Sequence, residues 1–213
     1  MNIYISILLH DIITIITILN PIAAASIMIG MIPNSTNNIV KPIALKATFT
    51  VIIASLITLF SGEFIFKIFG INVLSIKVIG GIILMNIAIN MVQGEHKNSK
   101  HAQAEHAEAQ EKEDISIIPL GIPILFGPGL IATIMVLHNN HIHNISTTVS
   151  YFLITVSIVL SSCVVYLSLR YISNIQKVLG IIGMRILTRI MGLIVGAIAA
   201  QFLVSGIKGL WQI

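Results

Sequence analysis

The sequence predicts an all-α polytopic membrane protein, with six transmembrane helices arranged as two inverted three-helix repeats. Its 213 residues are 56% hydrophobic and only 9% charged, and the mean hydropathy of +0.98 is far from that of a water-soluble domain. The apolar residues form long uninterrupted stretches, which is typical of helices surrounded by lipid. Short segments of the first half also recur in the second half. We therefore expect the lipid bilayer to be a main partner of this chain.

Six stretches are long enough to cross a bilayer, since each crossing needs about 20 apolar residues. We expect these spans at 12–32, 43–62, 73–92, 117–137, 148–169 and 187–208. A polar cluster at 138–144 separates the fourth span from the fifth, and we interpret it as a loop. The chain thus divides into an N-terminal membrane repeat (1–94), a polar cytoplasmic linker (95–114) that is too poor in apolar residues to fold alone, and a C-terminal membrane repeat (115–213).

Lysine and arginine concentrate in alternate connections, which indicates the orientation of the helices, because short cytoplasmic connections are enriched in these residues. Nine of the 12 basic residues fall in the first, third and fifth connections, namely Lys41, Lys46, Lys97, Lys100, Lys112, Arg170, Lys177, Arg185 and Arg189. The other three are Lys67, Lys77 and Lys208. We therefore expect both termini to be periplasmic, in a bacterial inner membrane.

Two segments of the N-terminal half recur in the C-terminal half. The segment 20–28 aligns with 127–135, so that a proline, a serine or threonine, an isoleucine and a methionine coincide. The segment 77–80 aligns with 189–192 in the same way. Because each half has three spans, the second half would enter the membrane upside down, which is an inverted-topology repeat.

A proline lies near the middle of the first and fourth spans, at Pro21 and Pro128. A proline removes a backbone donor and its ring clashes with the preceding turn, so we expect each span to break into two half-helices. Asn20 and Gly127 are suited to cap the second half-helix. The freed backbone groups find no partner in lipid and must line a cavity or face another helix. Secondary transporters bind solutes at such breaks, but simple packing kinks are the alternative interpretation.

Polar and small residues near the breaks are the candidate lining of a substrate pathway. They comprise Asn20, Pro21 and Ser26 in the first span, Asn86 and Asn90 in the third, Gly127, Pro128, Gly129 and Thr133 in the fourth, and Gln201 in the sixth. An amide side chain inside a bilayer needs a partner. Hydrogen bonding between helices is therefore an equally good explanation for the two asparagines of the third span and for Gln201.

The ionisable residues offer little for catalysis. Asp11 lies near the start of the first span and is interpreted as an interfacial anchor, while Glu63 and Lys77 are expected to form a structural ion pair across a short hairpin. The histidines of 95–114 and 138–144 could bind a metal, but solvated loops are the favoured explanation. No sequence signature of a hydrolase, a nucleotide-binding protein or an intramembrane protease is present. We therefore expect no enzymatic activity, no cofactor, no metal site and no nucleic-acid binding.

The chain resembles the MarC family of six-span bacterial membrane proteins over essentially its whole length. The resemblance rests on the segments 20–21, 61–63, 69–71, 80–81, 118–123, 127–129 and 188–193. This chain carries Ala23 and Ser26 where members usually have a glycine and a second proline, and Gln201 where relatives often have a carboxylate. The family is similar to the lysine-exporter superfamily, which implies an export role by analogy.

These observations favour a transporter or exporter of small solutes that works by alternating access between the two repeats. A non-transporting scaffold or partner subunit is the alternative, because charged residues within the spans are sparse, and a membrane-embedded enzyme is a distant third. A homo-oligomer is compatible with each of these functions. The transporter hypothesis predicts that Asn20, Pro21, Gly127, Pro128 and Gly129 meet near the bilayer midplane and border a polar cavity.

Overall fold

The computed structural model describes residues 3–32, 37–94, 116–142 and 145–211, and contains no strand among them. The helices are α1 (Ile3–Leu19), α2 (Pro21–Met31), α3 (Asn37–Phe69), α4 (Val73–Gln93), α5 (Ser116–Leu125), α6 (Pro128–Ile142), α7 (Thr147–Arg170) and α8 (Ile172–Trp211). The predicted all-α class is confirmed. The linker at 95–114 lies outside the described residues.

Five apolar stretches among the described residues are long enough to cross a bilayer. They are Ile3–Met28, Ile39–Gly62, Val73–Gln93, Thr147–Arg170 and Ile182–Trp211, and they correspond to the predicted spans one, two, three, five and six. The predicted fourth span is instead divided between α5, with 10 residues, and α6, with 15. Inside α5 the backbone is extended at Ile118 and Ile122. Each of these residues precedes a proline, and the proline ring disfavours the helical conformation of the residue before it.

The polar cluster that the sequence analysis interpreted as a loop is largely helical. α6 continues to Ile142, so His138 and His141 lie on a helix, and both side chains are buried. Nδ1 of His138 lies 3.0 Å from Oγ of Ser150 on α7, and its ring packs 4.4 Å from that of Tyr151, measured between centroids. These partners on α7 favour a buried helical turn where the polar composition alone indicated a loop.

Helices α4 and α8 pack as a close antiparallel pair. A methyl group at Gly81 of α4 would lie 2.9 Å from the carbonyl oxygen of Ala199, and one at Gly206 of α8 would lie 2.9 Å from that of Leu74. Glycine is therefore required for the two backbones to approach this closely. The remaining helices surround a larger hydrophobic cluster, formed by residues of α1, α2, α3, α5, α6, α7 and the start of α8.

Candidate functional site

The break predicted in the first span is present and is centred on Asn20. α1 ends at Leu19 and α2 begins at Pro21, while Asn20 between them adopts the left-handed conformation, with φ 45° and ψ 66°. Its Oδ1 accepts a hydrogen bond of 3.3 Å from the N–H of Ala23, as a helix cap does. Its Nδ2 lies 3.5 Å from Sδ of Met91 on α4. Asparagine is one of the few residues that adopt this backbone conformation readily, so the residue type fits the geometry.

A break is also present in the predicted fourth span, at Gly127. α5 ends at Leu125 and α6 begins at Pro128, whose side chain is exposed. The carbonyl oxygen of Gly127 accepts hydrogen bonds from the N–H groups of Leu130 at 3.0 Å and Ile131 at 3.3 Å. Gly127 thus begins α6 through its backbone, and proline at the next position fits because the first turn of a helix leaves its N–H groups without helical partners.

Both breaks lie against the same helix, α4. A methyl group at Gly129 would lie 2.7 Å from Cδ2 of Leu84, so the start of α6 contacts α4 there. Asn20 contacts Met91, which is seven residues further along α4, a distance of about 10 Å along a helix. Thr133 is fully buried one turn into α6, and its hydroxyl donates to the carbonyl oxygen of Gly129 at 2.8 Å. The polar cavity expected between the two breaks stays a prediction.

Four buried polar side chains, three on α1 and one at the first break, follow one another at intervals of three residues. They are Asp11, Thr14, Thr17 and Asn20, with exposed fractions of 0%, 7%, 5% and 8%. Their spacing of three residues places them along one inclined row of the helix surface. We call these four residues the α1 polar row. This row was not predicted, although the regular spacing of polar residues in an apolar span is a signal for it.

Helix α7, which packs against α1, presents buried serines to the interior. Ser150, Ser157, Ser161 and Ser162 are all fully buried. The hydroxyl of Ser161 donates to the carbonyl oxygen of Ile12 on α1 at 3.3 Å, whereas Oγ of Ser162 has no hydrogen-bond partner among the residues that the structure describes. The neighbouring Cys163 is exposed, although the apolar stretch around it would favour burial. The serines therefore occupy the buried face of α7, and the cysteine occupies the outer face.

Asp11 lies at one end of the α1 polar row and contacts two histidines. Its Oδ1 is 3.4 Å from Nδ1 of His10, and its Oδ2 is 3.3 Å from Nε2 of His141 on α6. The side chain of Asp11 is fully buried and that of His141 is 8% exposed, whereas that of His10 is 69% exposed. The interpretation of Asp11 as an interfacial anchor is therefore wrong. The cause is that α1 begins at Ile3, two turns earlier than expected, and that α6 extends far enough to cover the carboxylate.

The other predicted pathway residues have different surroundings. Ser26 is half-buried, and its hydroxyl donates to the carbonyl oxygen of Ile22 on its own helix at 2.9 Å. Asn90 is also half-buried. Asn86 and Gln201 are exposed on the surface of the single chain, so the structure does not bury them beside the breaks.

The predicted ion pair between Glu63 and Lys77 stays a prediction, because the side chain of Glu63 lies outside the described part of the chain. Nζ of Lys77 donates to Oδ1 of Asn140 at 3.1 Å, so this lysine joins α4 to the end of α6. The histidines of the 95–114 linker also lie outside the described residues. Within the ranges that are described, no group of three His, Cys, Asp or Glu side chains is arranged to hold a metal ion.

Comparison with known proteins agrees with this all-helical membrane architecture. The family described as MarC family integral membrane protein matches residues 5–211. A UPF0056 membrane protein of Aquifex aeolicus is 33% identical, over 92% of this chain and 90% of its own length. A UPF0056 membrane protein of Methanocaldococcus jannaschii is 35% identical, over 92% of this chain and 93% of its own length. One of Bacillus subtilis is 34% identical, over 98% of this chain and 97% of its own length. No solved structure is significantly similar to the chain. The match along nearly the whole chain shows that this protein belongs to the MarC family of integral membrane proteins.

Proposed function

We propose that the protein is a transporter or exporter of small solutes, in which two inverted halves alternately open a pathway at the breaks of the first and fourth spans. The observation that carries this proposal is the α1 polar row, which leads from Asp11 to the left-handed residue Asn20. Polar groups inside a membrane cost free energy unless they face partners or water. Three of them on one helix, followed by Asn20 at the discontinuity, favour a pathway. The proposal includes no catalytic step.

The inverted relationship of the two halves is supported by a pair of reciprocal contacts between α4 and α8. A methyl group at Gly94 would lie 3.2 Å from Nη2 of Arg189, and one at Gly206 would lie 3.0 Å from Cβ of Lys77. The sequence repeat pairs Lys77 with Arg189 and Gly94 with Gly206. Each contact is therefore the counterpart of the other, which is the pattern that a two-fold axis produces.

In this proposal, α5 and α6 together form the crossing that was predicted as the fourth span, which brings the number of crossings to six. Neither helix reaches the length of a full span, but they follow one another with only Phe126 and Gly127 between them. An even number of crossings places both termini on one side. The distribution of basic residues favours the periplasmic side of a bacterial inner membrane.

Transport is tested with the purified protein in proteoliposomes. Amino acids, small organic cations and divalent metals are screened first for a rise in unfolding temperature, since a ligand that binds the folded state stabilises it. We expect at least one of these solutes to be taken up faster by vesicles with protein than by vesicles without it. The variants Thr17→Val and Thr133→Val should slow this uptake while keeping the unfolding temperature, and the exposed Cys163→Ser should not change it. A folded protein that moves none of these solutes would overturn the proposal.

A partner subunit or scaffold is the second candidate, and the exposed amides of Asn86 and Gln201 favour it. In a single chain these groups would face lipid, which offers no hydrogen-bond partner. A second copy of the chain or another membrane protein would supply one. Native mass spectrometry of the wild type and of an Asn86→Leu, Gln201→Leu double variant tests this. Assembly in the wild type that the double variant loses would support it, and a monomeric wild type would contradict self-assembly.

A further inference from the structure

Asp11 and His141 join α1 to α6 beside a cavity of about 300 Å³, which is lined by Ser6, Ile7, His10, Leu137, Asn140 and His141. Oδ2 of Asp11 lies 3.3 Å from Nε2 of His141 without meeting hydrogen-bond geometry. Neither this oxygen nor Nδ1 of His141 has a hydrogen-bond partner among the described residues. His10 is largely exposed and touches the other carboxylate oxygen, so it links the buried pair to the surface.

Among the described residues, the ionisable side chains in contact with Asp11 are these two histidines. The helix α2 has no ionisable residue, and α7 meets α1 at Ser161, a neutral hydroxyl. His138, one turn earlier on α6, contacts Ser150 of α7 instead. On α8, Arg185, Arg189 and both lysines are exposed. α4 packs on α6 and brings Lys77 to Asn140, which lines the same cavity, so the charged groups near the pair are His10 and this lysine.

We propose that Asp11 and His141 form a proton-binding site whose occupancy controls the contact between α1 and α6, and with it access to the cavity. With one proton on the pair, the site is neutral, either as carboxylate and imidazolium or as carboxylic acid and imidazole. When that proton passes to water in the cavity and His10 is also neutral, the site keeps a net charge of −1 around a fully buried carboxylate. A buried and unneutralised carboxylate is costly, so loss of the proton favours separation of the two helices and entry of water.

The inference deepens the proposed function and rests on it for its biological meaning. α1 belongs to the first repeat and α6 to the second, so their contact must change when the repeats move relative to one another. The proton is then the ion that governs opening at this end of the pathway. The proton can bind without a solute. The proton site can therefore be tested in a protein for which no transported solute is known.

The test measures how fast a buried cysteine in the cavity wall reacts with a water-soluble maleimide. Leu137 lines the cavity and is 3% exposed, so Leu137→Cys on a Cys163→Ser background reports opening. Ser6 is exposed and lines the same cavity, so Ser6→Cys is the matched reference. The rate at each cysteine rises with its thiolate fraction, and dividing one rate by the other removes this direct effect of pH. The protein is held in lipid nanodiscs, and the rates are compared between mildly acidic and mildly alkaline pH.

We expect the ratio of the two rates to rise severalfold from mildly acidic to mildly alkaline pH, the range in which histidine changes its charge. In an Asp11→Asn background the ratio should stay low and constant, because no carboxylate is left to charge the site. His10→Gln should keep the rise, since His10 lies on α1 itself and does not join this helix to α6. If Leu137→Cys fails to fold, the half-buried Ile7→Cys on the opposite wall replaces it. A ratio that does not change with pH in the wild-type background, or that changes equally with Asp11→Asn, would overturn the proton site whether or not a solute is transported.

Discussion

Asn20 is held against Met91, with its Nδ2 3.5 Å from Sδ of the methionine, and this contact ties the left-handed turn between α1 and α2 to α4. The turn is bounded by helical hydrogen bonds on both sides, from the N–H of Asn20 to Ile16 and from that of Ala24 to Asn20. The discontinuity is therefore confined to one residue. Its conformation depends on Asn20 as much as on the proline that follows.

Replacement of Asn20 should separate the backbone effect from the side-chain effect. Asn20→Ala places an ordinary Cβ on a left-handed backbone, which costs about 1–2 kcal/mol, and removes a cap, which costs about 1 kcal/mol. Asn20→Gly loses the cap but tolerates φ 45°. Thermal unfolding in detergent should rank the wild type first, the glycine variant second and the alanine variant last. An alanine variant at least as stable as the glycine variant would contradict the left-handed assignment.

The antiparallel pair of α4 and α8 should distinguish two glycines that lie one turn apart. A Cβ at Gly192 would lie 2.8 Å from Cβ of Met91 and 3.1 Å from the carbonyl oxygen of Ala88, whereas one at Gly196 would meet Cβ of Ala88 at an ordinary 3.4 Å. Gly192→Ala should destabilise the protein by about 1–3 kcal/mol through overpacking. Gly196→Ala should be close to neutral or stabilising. Equal unfolding temperatures for the two variants would be evidence against this packing.

Two neighbouring serines of α7 should respond differently to loss of their hydroxyl. Ser161→Ala removes a hydrogen bond to Ile12 of α1 and should cost about 1 kcal/mol. Ser162→Ala removes a buried oxygen without a partner among the described residues and should be neutral or stabilising. Unfolding temperatures of the two single variants, measured in the same detergent, decide the point. A larger loss for Ser162→Ala would show that this hydroxyl has a partner, such as a solute or a bound water.

The orientation in the membrane can be tested with two exposed positions. Asn140 lies near the end of α6, and Gln93 ends α4, on the side of the 95–114 linker. On a Cys163→Ser background, we expect Asn140→Cys to react with an impermeant reagent in intact cells and Gln93→Cys to react only after lysis. The opposite pattern would reverse the topology, and reaction of both in intact cells would contradict a bilayer between them.

Properties that depend on the chain locally could be predicted from the sequence. Uninterrupted apolar stretches predicted the five long helices, because crossing lipid requires length and composition and nothing else. The constraints of proline act on its own residue and its neighbours, so the interruptions at Pro21 and Pro128 were also predictable. The extended residues before Pro119 and Pro123 follow the same rule, although the sequence analysis treated the fourth span as continuous up to its break.

Burial depends on which helix faces meet, and a single sequence did not reveal this. Asp11 was expected at the interface and His141 in a loop, yet each is buried by the other's helix. Asn86 and Gln201 were expected to line the pathway beside the breaks, yet they lie on the outer surface of the chain. Polarity predicted that these residues need partners, but the identity of those partners is a property of the packed bundle.

Gly180 interrupts α8 with a φ of 64°, and the membrane-crossing part of that helix begins just after it, at Ile182. The preceding segment, 172–179, therefore leaves the crossing helix in a different direction. Val178 is 85% exposed and Lys177 is beside it, a combination suited to the boundary between acyl chains and lipid headgroups. The same segment is fixed to the bundle at its other end, because Ile172 is buried in the large hydrophobic cluster. Gly180 therefore sets the angle at which the crossing part of α8 leaves this fixed point, and a side chain with a Cβ at that position would change the angle.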